Sequence, residues 1–144
     1  MYKTTLYIPV GISGQGKSTY GISMDDSVKV VSRDTINKSS KTDISTEEAF
    51  KLMREQAKEY LSQSYSVFFD APNLKEKYRK ELIQELGGYA EYVVGIYFPV
   101  DIQKAKQNNE TRHVFLSDKN LELMADSLEK IHFNEGFDTI WTLY

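Results

Sequence analysis

Eight residues near the amino terminus, GISGQGKS at 11–18, match the fixed spacing GxxxxGK followed by Ser or Thr. Each residue type has a chemical task. Several backbone N–H groups can approach a triphosphate together only where no Cβ intervenes, which Gly11, Gly14 and Gly16 allow. Gly11, Ser13, Gly14, Gln15, Gly16, Lys17, Ser18 and Thr19 are the residues expected to bind the nucleotide. Lys17 supplies a cation to the β- and γ-phosphates, and Ser18 offers a hydroxyl to Mg²⁺. A helix starting near Lys17 adds its positive N-terminal end. The plain alternative is a glycine turn between a strand and a helix. In a chain of 144 residues a chance match is on the order of half a per cent, so the segment is read as a nucleoside triphosphate site, with ATP and Mg²⁺ as cofactors.

Such a loop needs a strand before it and a helix after it. Residues 3–9 (KTTLYIP) form a β-rich run that leads into the glycines, and further strands are expected at 28–32, 65–69, 91–98 and 139–144. Helical patterns lie between them. Ser45 with Glu48 reads as a capping box for a helix to about Ser62, burying Ala49, Phe50, Met53, Ala57, Tyr60 and Leu61. Asn73 is placed as the cap of a helix through Leu86, stopped by Gly87 and Gly88. Asp101 and Ser117 open two more, to about Asn109 and Leu128. The stretch 37–43 is polar and reads as a loop. Strands alternating with helices predict an α/β fold: a three-layer P-loop sandwich of about five mostly parallel strands with helices on both faces. Its site then lies beyond the carboxyl ends of the strands.

Composition bounds the function classes. With no internal repeat or linker, residues 1–144 are expected to form a single domain. The absence of cysteine removes disulfide and thiolate metal chemistry, and His113 and His132 are too few for a histidine-built metal site. No apolar run approaches the ~20 residues of a membrane helix, and residues 1–5 lack a signal-peptide core, so a cytoplasmic protein without a membrane partner is expected. A net charge of −3 argues against broad duplex binding, though not against capture of one nucleic-acid end.

Beyond the glycine loop, three segments resemble the polynucleotide 5′-hydroxyl kinases of phages and related P-loop kinases: VVSRDTIN at 30–37, VFFDAPNL at 67–74 and NNETR at 108–112. A weaker echo is NEGFD at 134–138. The match is to a kinase domain alone, without the phosphatase half that some members carry. The resemblance implies that Asp34 orients the acceptor hydroxyl and takes its proton, that Asp70 holds Mg²⁺ with Ser18, and that Arg112 lies on a lid and neutralises charge on the transferred group. Lys17, Asp34 and Arg112 are thus the expected catalytic set. Each has a structural alternative: Asp34 as a helix cap, Asp70 as a turn former, Arg112 as a solvated surface charge. Asn37 stands near where phage-type enzymes carry an arginine that holds the acceptor's phosphate, with Lys38 and Lys41 as nearby substitutes, and Lys104 and Lys106 read as surface charges.

The function so implied is transfer of the γ-phosphate of ATP to the 5′-hydroxyl of a polynucleotide or 3′-nucleotide. Two alternatives stay open: a kinase of a small hydroxylated metabolite or hydroxymethylated DNA base, and a nucleotide-binding switch module without transferase activity.

Overall fold

The β-branched and aromatic runs become strands; the central ones are buried, while the last, Thr139–Thr142, is largely exposed. In the computed structural model, the described residues are 4–12, 14–33, 35–36, 45–110 and 117–143, without the side chains of 109 and 110. They form β1 (Thr5–Val10), α1 (Lys17–Ile22), β2 (Val28–Ser32), α2 (Thr46–Ser62), β3 (Ser66–Asp70), α3 (Glu76–Leu86), β4 (Tyr92–Tyr97), α4 (Ile102–Glu110), α5 (Asp118–Ser127) and β5 (Thr139–Thr142). The sheet runs β2-β3-β1-β4-β5 and every pairing is parallel. All carboxyl ends therefore reach one edge, and the order reverses between β1 and β4, where the glycine loop leaves β1.

Alternation along the strands sorts the core into two layers. Leu6, Ile8, Val10, Val31, Val67, Phe69 and Val93 face a layer with Met53, Ala57 and Leu61 of α2 and Leu82 and Leu86 of α3. Phe68, Val94 and Ile96 face the other side, where Tyr20 and Met24 from α1 and the turn after it pack. A third cluster, Ile12, Ala105 and Leu121, joins the start of the loop to α4 and α5. No helix among the described residues is long and apolar enough to cross a membrane.

Three of the expected helix starts hold. Ser45 Oγ accepts from Glu48 N at 3.1 Å, Asp101 Oδ1 from Lys104 N at 3.0 Å, and Ser117 Oγ from Asn120 N at 3.1 Å. Along α2, Ala49, Met53, Ala57 and Leu61 are buried while Phe50 and Tyr60 are half-buried. The expectation for Asn73 fails: α3 begins at Glu76 with Lys75 before it, and no side chain caps that end. Nor does a left-handed glycine stop α3, since Gly87 keeps a right-handed φ of −59° and the chain tightens into a 3₁₀ turn over Gly87–Tyr89.

Candidate active site

Two glycines give the loop its shape. Gly14 and Gly16 have φ of +85° and +90°, which side chains rarely adopt. At Gly14 space also forbids a side chain, because a Cβ would lie 2.7 Å from the carbonyl oxygen of Ala105 in α4. Gly16 then leads into the short α1, where Lys17 is the first residue. Ser13 lies outside the described residues.

Lys17 is buried to 7% exposure, and its Nζ donates to the carbonyl oxygen of Ile12 at 2.8 Å. The ammonium is thus held inside the curve of the loop, within reach of anything the backbone N–H groups gather. One position on, Ser18 Oγ donates to Asp70 Oδ2 at 2.7 Å. A hydroxyl after the glycine loop and a carboxylate at the end of β3 meet across 52 positions of sequence. Both are hard oxygen donors, and Mg²⁺ in such sites takes one or two protein oxygens while keeping waters and phosphate oxygens. Ser18 and Asp70 therefore fit that ion as a pair. Among the described residues, no cluster of three or more His, Asp or Glu forms a self-sufficient metal cage.

The segment after Asp70 is stitched to the segment before the loop. Gly11 N donates to Pro72 O at 3.1 Å, and Asn73 Nδ2 donates to Pro9 O at 2.7 Å and Ala71 O at 3.0 Å. Asn73, at φ +52°, is a bridge between the ends of β1 and β3 rather than a helix cap. Its carbonyl is held in turn by Arg79, which is fully buried. All five guanidinium donors of Arg79 are used: Nε and Nη2 on Glu135 at 2.6 and 2.9 Å, Nη1 on Asn73 O and Leu74 O at 3.0 and 2.9 Å, and Nη2 on Lys130 O at 3.2 Å.

On the other side of the loop, α4 grips it. Asn108 Nδ2 donates to Gly14 O at 2.6 Å. Gln15 Nε2 donates to Pro99 O, and Gln15 Oε1 accepts from Asp101 N at 3.1 Å. Beside this contact a cleft of about 850 Å³ opens next to the loop, with Thr19, Tyr20, Phe98, Val100, Lys104 and Leu143 in its lining. Burial, and next the nearby Tyr7, raise the pKa of Tyr20 above its ordinary value, so its hydroxyl stays neutral in that wall. Lys104 is exposed, and Lys106 Nζ pairs with Glu122 at 2.8 Å, as expected of surface charges.

Of the expected catalytic set, Lys17 is described, while Asp34 and Arg112 lie outside the described residues, as do Asn37, Lys38, Lys41 and His113. The chain on either side of Asp34 is described. Ser32 pairs across from Asp70 in the sheet, Thr35 Oγ1 donates to Ser32 O at 2.8 Å, and Arg33 Nη1 donates to Thr46 Oγ1 at 2.9 Å. The Arg33–Thr46 bond ties the end of β2 to the start of α2. Sequence reasoning named Gln15 for nucleotide binding but not the contacts of its side chain, and it missed the contact made by Asn108, the bridge made by Asn73, and the Arg79–Glu135 pair. One signal was present for the last: Arg79 lies at helical spacing with Leu82 and Leu86, on the stripe that is buried.

The AAA domain family AAA_33 matches residues 6–131. No curated protein sequence matches the chain. Among solved structures, the chain is similar to Chaetomium thermophilum Kti12 in complex with ADP-AlF3 (TM-score 0.73, 17% identity, 96% of this chain and 88% of that one). It is similar to a gluconokinase from Sinorhizobium meliloti 1021 (TM-score 0.65, 17% identity, 99% and 83%). It is also similar to a fungal RNA kinase (TM-score 0.65, 15% identity), covered over its full length but spanning only 39% of that chain. At these identities the likeness is one of fold.

Proposed function

Since this chain belongs to the AAA domain family AAA_33, we propose that it is a P-loop kinase that moves the γ-phosphate of ATP to a hydroxyl, most favourably the 5′-hydroxyl of a polynucleotide or 3′-nucleotide. The observation that carries the donor half is the Ser18–Asp70 contact beside a Lys17 turned into the loop. A glycine turn of purely structural use has no reason to bring a hydroxyl, a carboxylate and a buried lysine together at the edge where α/β folds bind ligands.

The triphosphate lies along the loop, where Lys17 Nζ exchanges the Ile12 carbonyl for β- and γ-phosphate oxygens. Ser18 and Asp70 would hold Mg²⁺, which would supply neutralisation of the phosphate charge. Asp34 accepts the proton of the acceptor hydroxyl as its oxygen bonds to the γ-phosphorus. The bond from that phosphorus to the β–γ bridging oxygen breaks, and ADP leaves. Arg112 neutralises charge on the group in transit. Positioning does most of the work, because the transition state is loose.

The acceptor class rests on the segments at 30–37, 67–74 and 108–112 and on the fold shared with the fungal RNA kinase. A second reading, a small hydroxylated acceptor, is favoured by the net charge of −3 and the neutral Asn37, and the gluconokinase shares the fold too. Transfer of label from γ-labelled ATP to oligonucleotides with a free 5′-hydroxyl, 3′-nucleotides, nucleosides and sugar acids separates the two. Label on the oligonucleotide or 3′-nucleotide is the expected result, and label confined to a sugar acid replaces the acceptor. ATP binding with no transfer to any acceptor leaves a nucleotide switch.

A further inference from the structure

Gln15 occupies a loop position where the backbone is needed and the side chain is not. Its side chain is nevertheless buried, at 6% exposure, and both ends of its carboxamide are engaged. Oε1 accepts from Asp101 N at 3.1 Å while Nε2 donates to Pro99 O. The bend between β4 and α4 offers one acceptor and one donor two residues apart, and a neutral carboxamide is the side chain that complements both. Between those two residues sits Val100, 41% exposed, lining the cleft beside the loop. Thr19 and Tyr20 line the same cleft, with Phe98 and Leu143 adding apolar surface. The wall that carries Val100 is therefore hung on the phosphate loop by Gln15.

We infer that Gln15 is a positioning residue for the nucleoside half of the donor: it sets the gap between the phosphate loop and the Pro99–Val100–Asp101 wall, and so the fit of base and ribose in the cleft. This rests on the donor site proposed above. A nucleotide spans loop and cleft with one covalent frame, so a wall that drifts from the loop can no longer meet the base while the phosphates stay in place. The gap matters to a nucleotide and not to a bare phosphate chain.

That difference supplies the test. Binding of Mg-ATP and of Mg-tripolyphosphate is measured by titration calorimetry for the wild-type chain and for Gln15→Met and Gln15→Glu. Methionine keeps the volume and loses both hydrogen bonds, so ATP should bind about tenfold more weakly, the scale of two ordinary bonds, while tripolyphosphate stays within about twofold. Glutamate keeps the acceptor for Asp101 N but turns an oxygen on Pro99 O, and should weaken ATP at least as much. If those variants do not fold, Val100→Ala, at an exposed site, should likewise weaken ATP and spare tripolyphosphate. Equal loss of both ligands, or no loss of ATP, overturns the role of Gln15. A wild-type chain that binds tripolyphosphate as tightly as ATP overturns the cleft as a nucleoside site, and one that binds neither overturns the donor site itself.

Discussion

A carboxylate and an arginine with opposite tasks give the sharpest predictions at the scale of single residues. If Asp34 takes the acceptor's proton, Asp34→Asn removes the base but keeps the shape, so kcat falls by about 10²–10⁴-fold while ATP affinity stays within a few-fold. Single-turnover transfer at saturating ATP, paired with an ATP titration, checks it. Collapse of ATP binding with normal residual turnover would make Asp34 structural. Arg112 should act later on the reaction coordinate. Arg112→Ala lowers kcat by about 10²-fold or more with KM for ATP changed far less, because charge on the transferred group builds mainly at the transition state. Arg112→Lys recovers part of the loss, since it restores charge without the planar fork. A wild-type single-turnover rate for Arg112→Ala would reduce that residue to a surface charge. The glycine loop and its place between a strand and a helix were legible in the sequence because glycines, lysine and hydroxyl are contiguous in a fixed spacing. The contacts of the Gln15 and Asn73 side chains were not, since a carboxamide in a loop names no partner, and Pro99, Asp101 and Pro9 lie 64 or more positions away.

Elements were legible to the extent that local chemistry decides them. β-branched and aromatic runs found the five strands among the described residues, and Ser45, Asp101 and Ser117 found three helix starts through bonds made within three residues. The start of α3 was misread because Asn73 was taken locally, as a cap, when its amide is used by the end of β1. What fastens α3 is instead long-range: Arg79 and Glu135, both side chains at 0% exposure, with the turn at Phe133–Glu135 wrapped on the helix. The NEGFD segment noted for resemblance proves structural at each of its later positions. Glu135 meets Arg79, Phe137 is in the core, and Asp138 Oδ2 accepts from Val93 N at 2.7 Å. Removing one member of a buried ion pair leaves the other uncompensated, so Glu135→Leu should cost about 3–5 kcal/mol of stability. Pairing it with Arg79→Met should recover part of that, because two apolar side chains no longer carry a buried charge. Recovery stays incomplete, since the carbonyl oxygens of Asn73, Leu74 and Lys130 lose their donor. Urea midpoints for the two single and the double variant measure it. A double variant less stable than both singles would show that the ion pair is not the seat of the coupling.

At the scale of the whole molecule, charge limits how an acceptor can be held. The chain carries 18 Lys and Arg against 21 Asp and Glu, so its mean field repels a polyanion rather than gathering one. Several of its cations are already committed. Arg79 is buried on Glu135, Arg54 Nε lies 2.9 Å from Glu85, and Lys106 is on Glu122. A nucleic-acid acceptor must then be taken at its end, by the few cations near the reacting hydroxyl, with Lys38, Lys41 and Arg112 the candidates by sequence. Counterion release makes that countable. Neutralising two or three phosphates of a single strand gives a slope of log K against log salt of about −1.4 to −2.1, whereas a strand tracked along a basic groove gives one several times steeper. Fluorescence anisotropy of a labelled oligonucleotide with a free 5′-hydroxyl, between low and physiological salt, reads the slope directly. The expected result is the shallow one, unchanged when the oligonucleotide is lengthened well past the site, because extra phosphates lie outside the reach of any cation. A steep slope that grows with length would mean that a basic track exists beyond the reacting end, and end capture would be wrong.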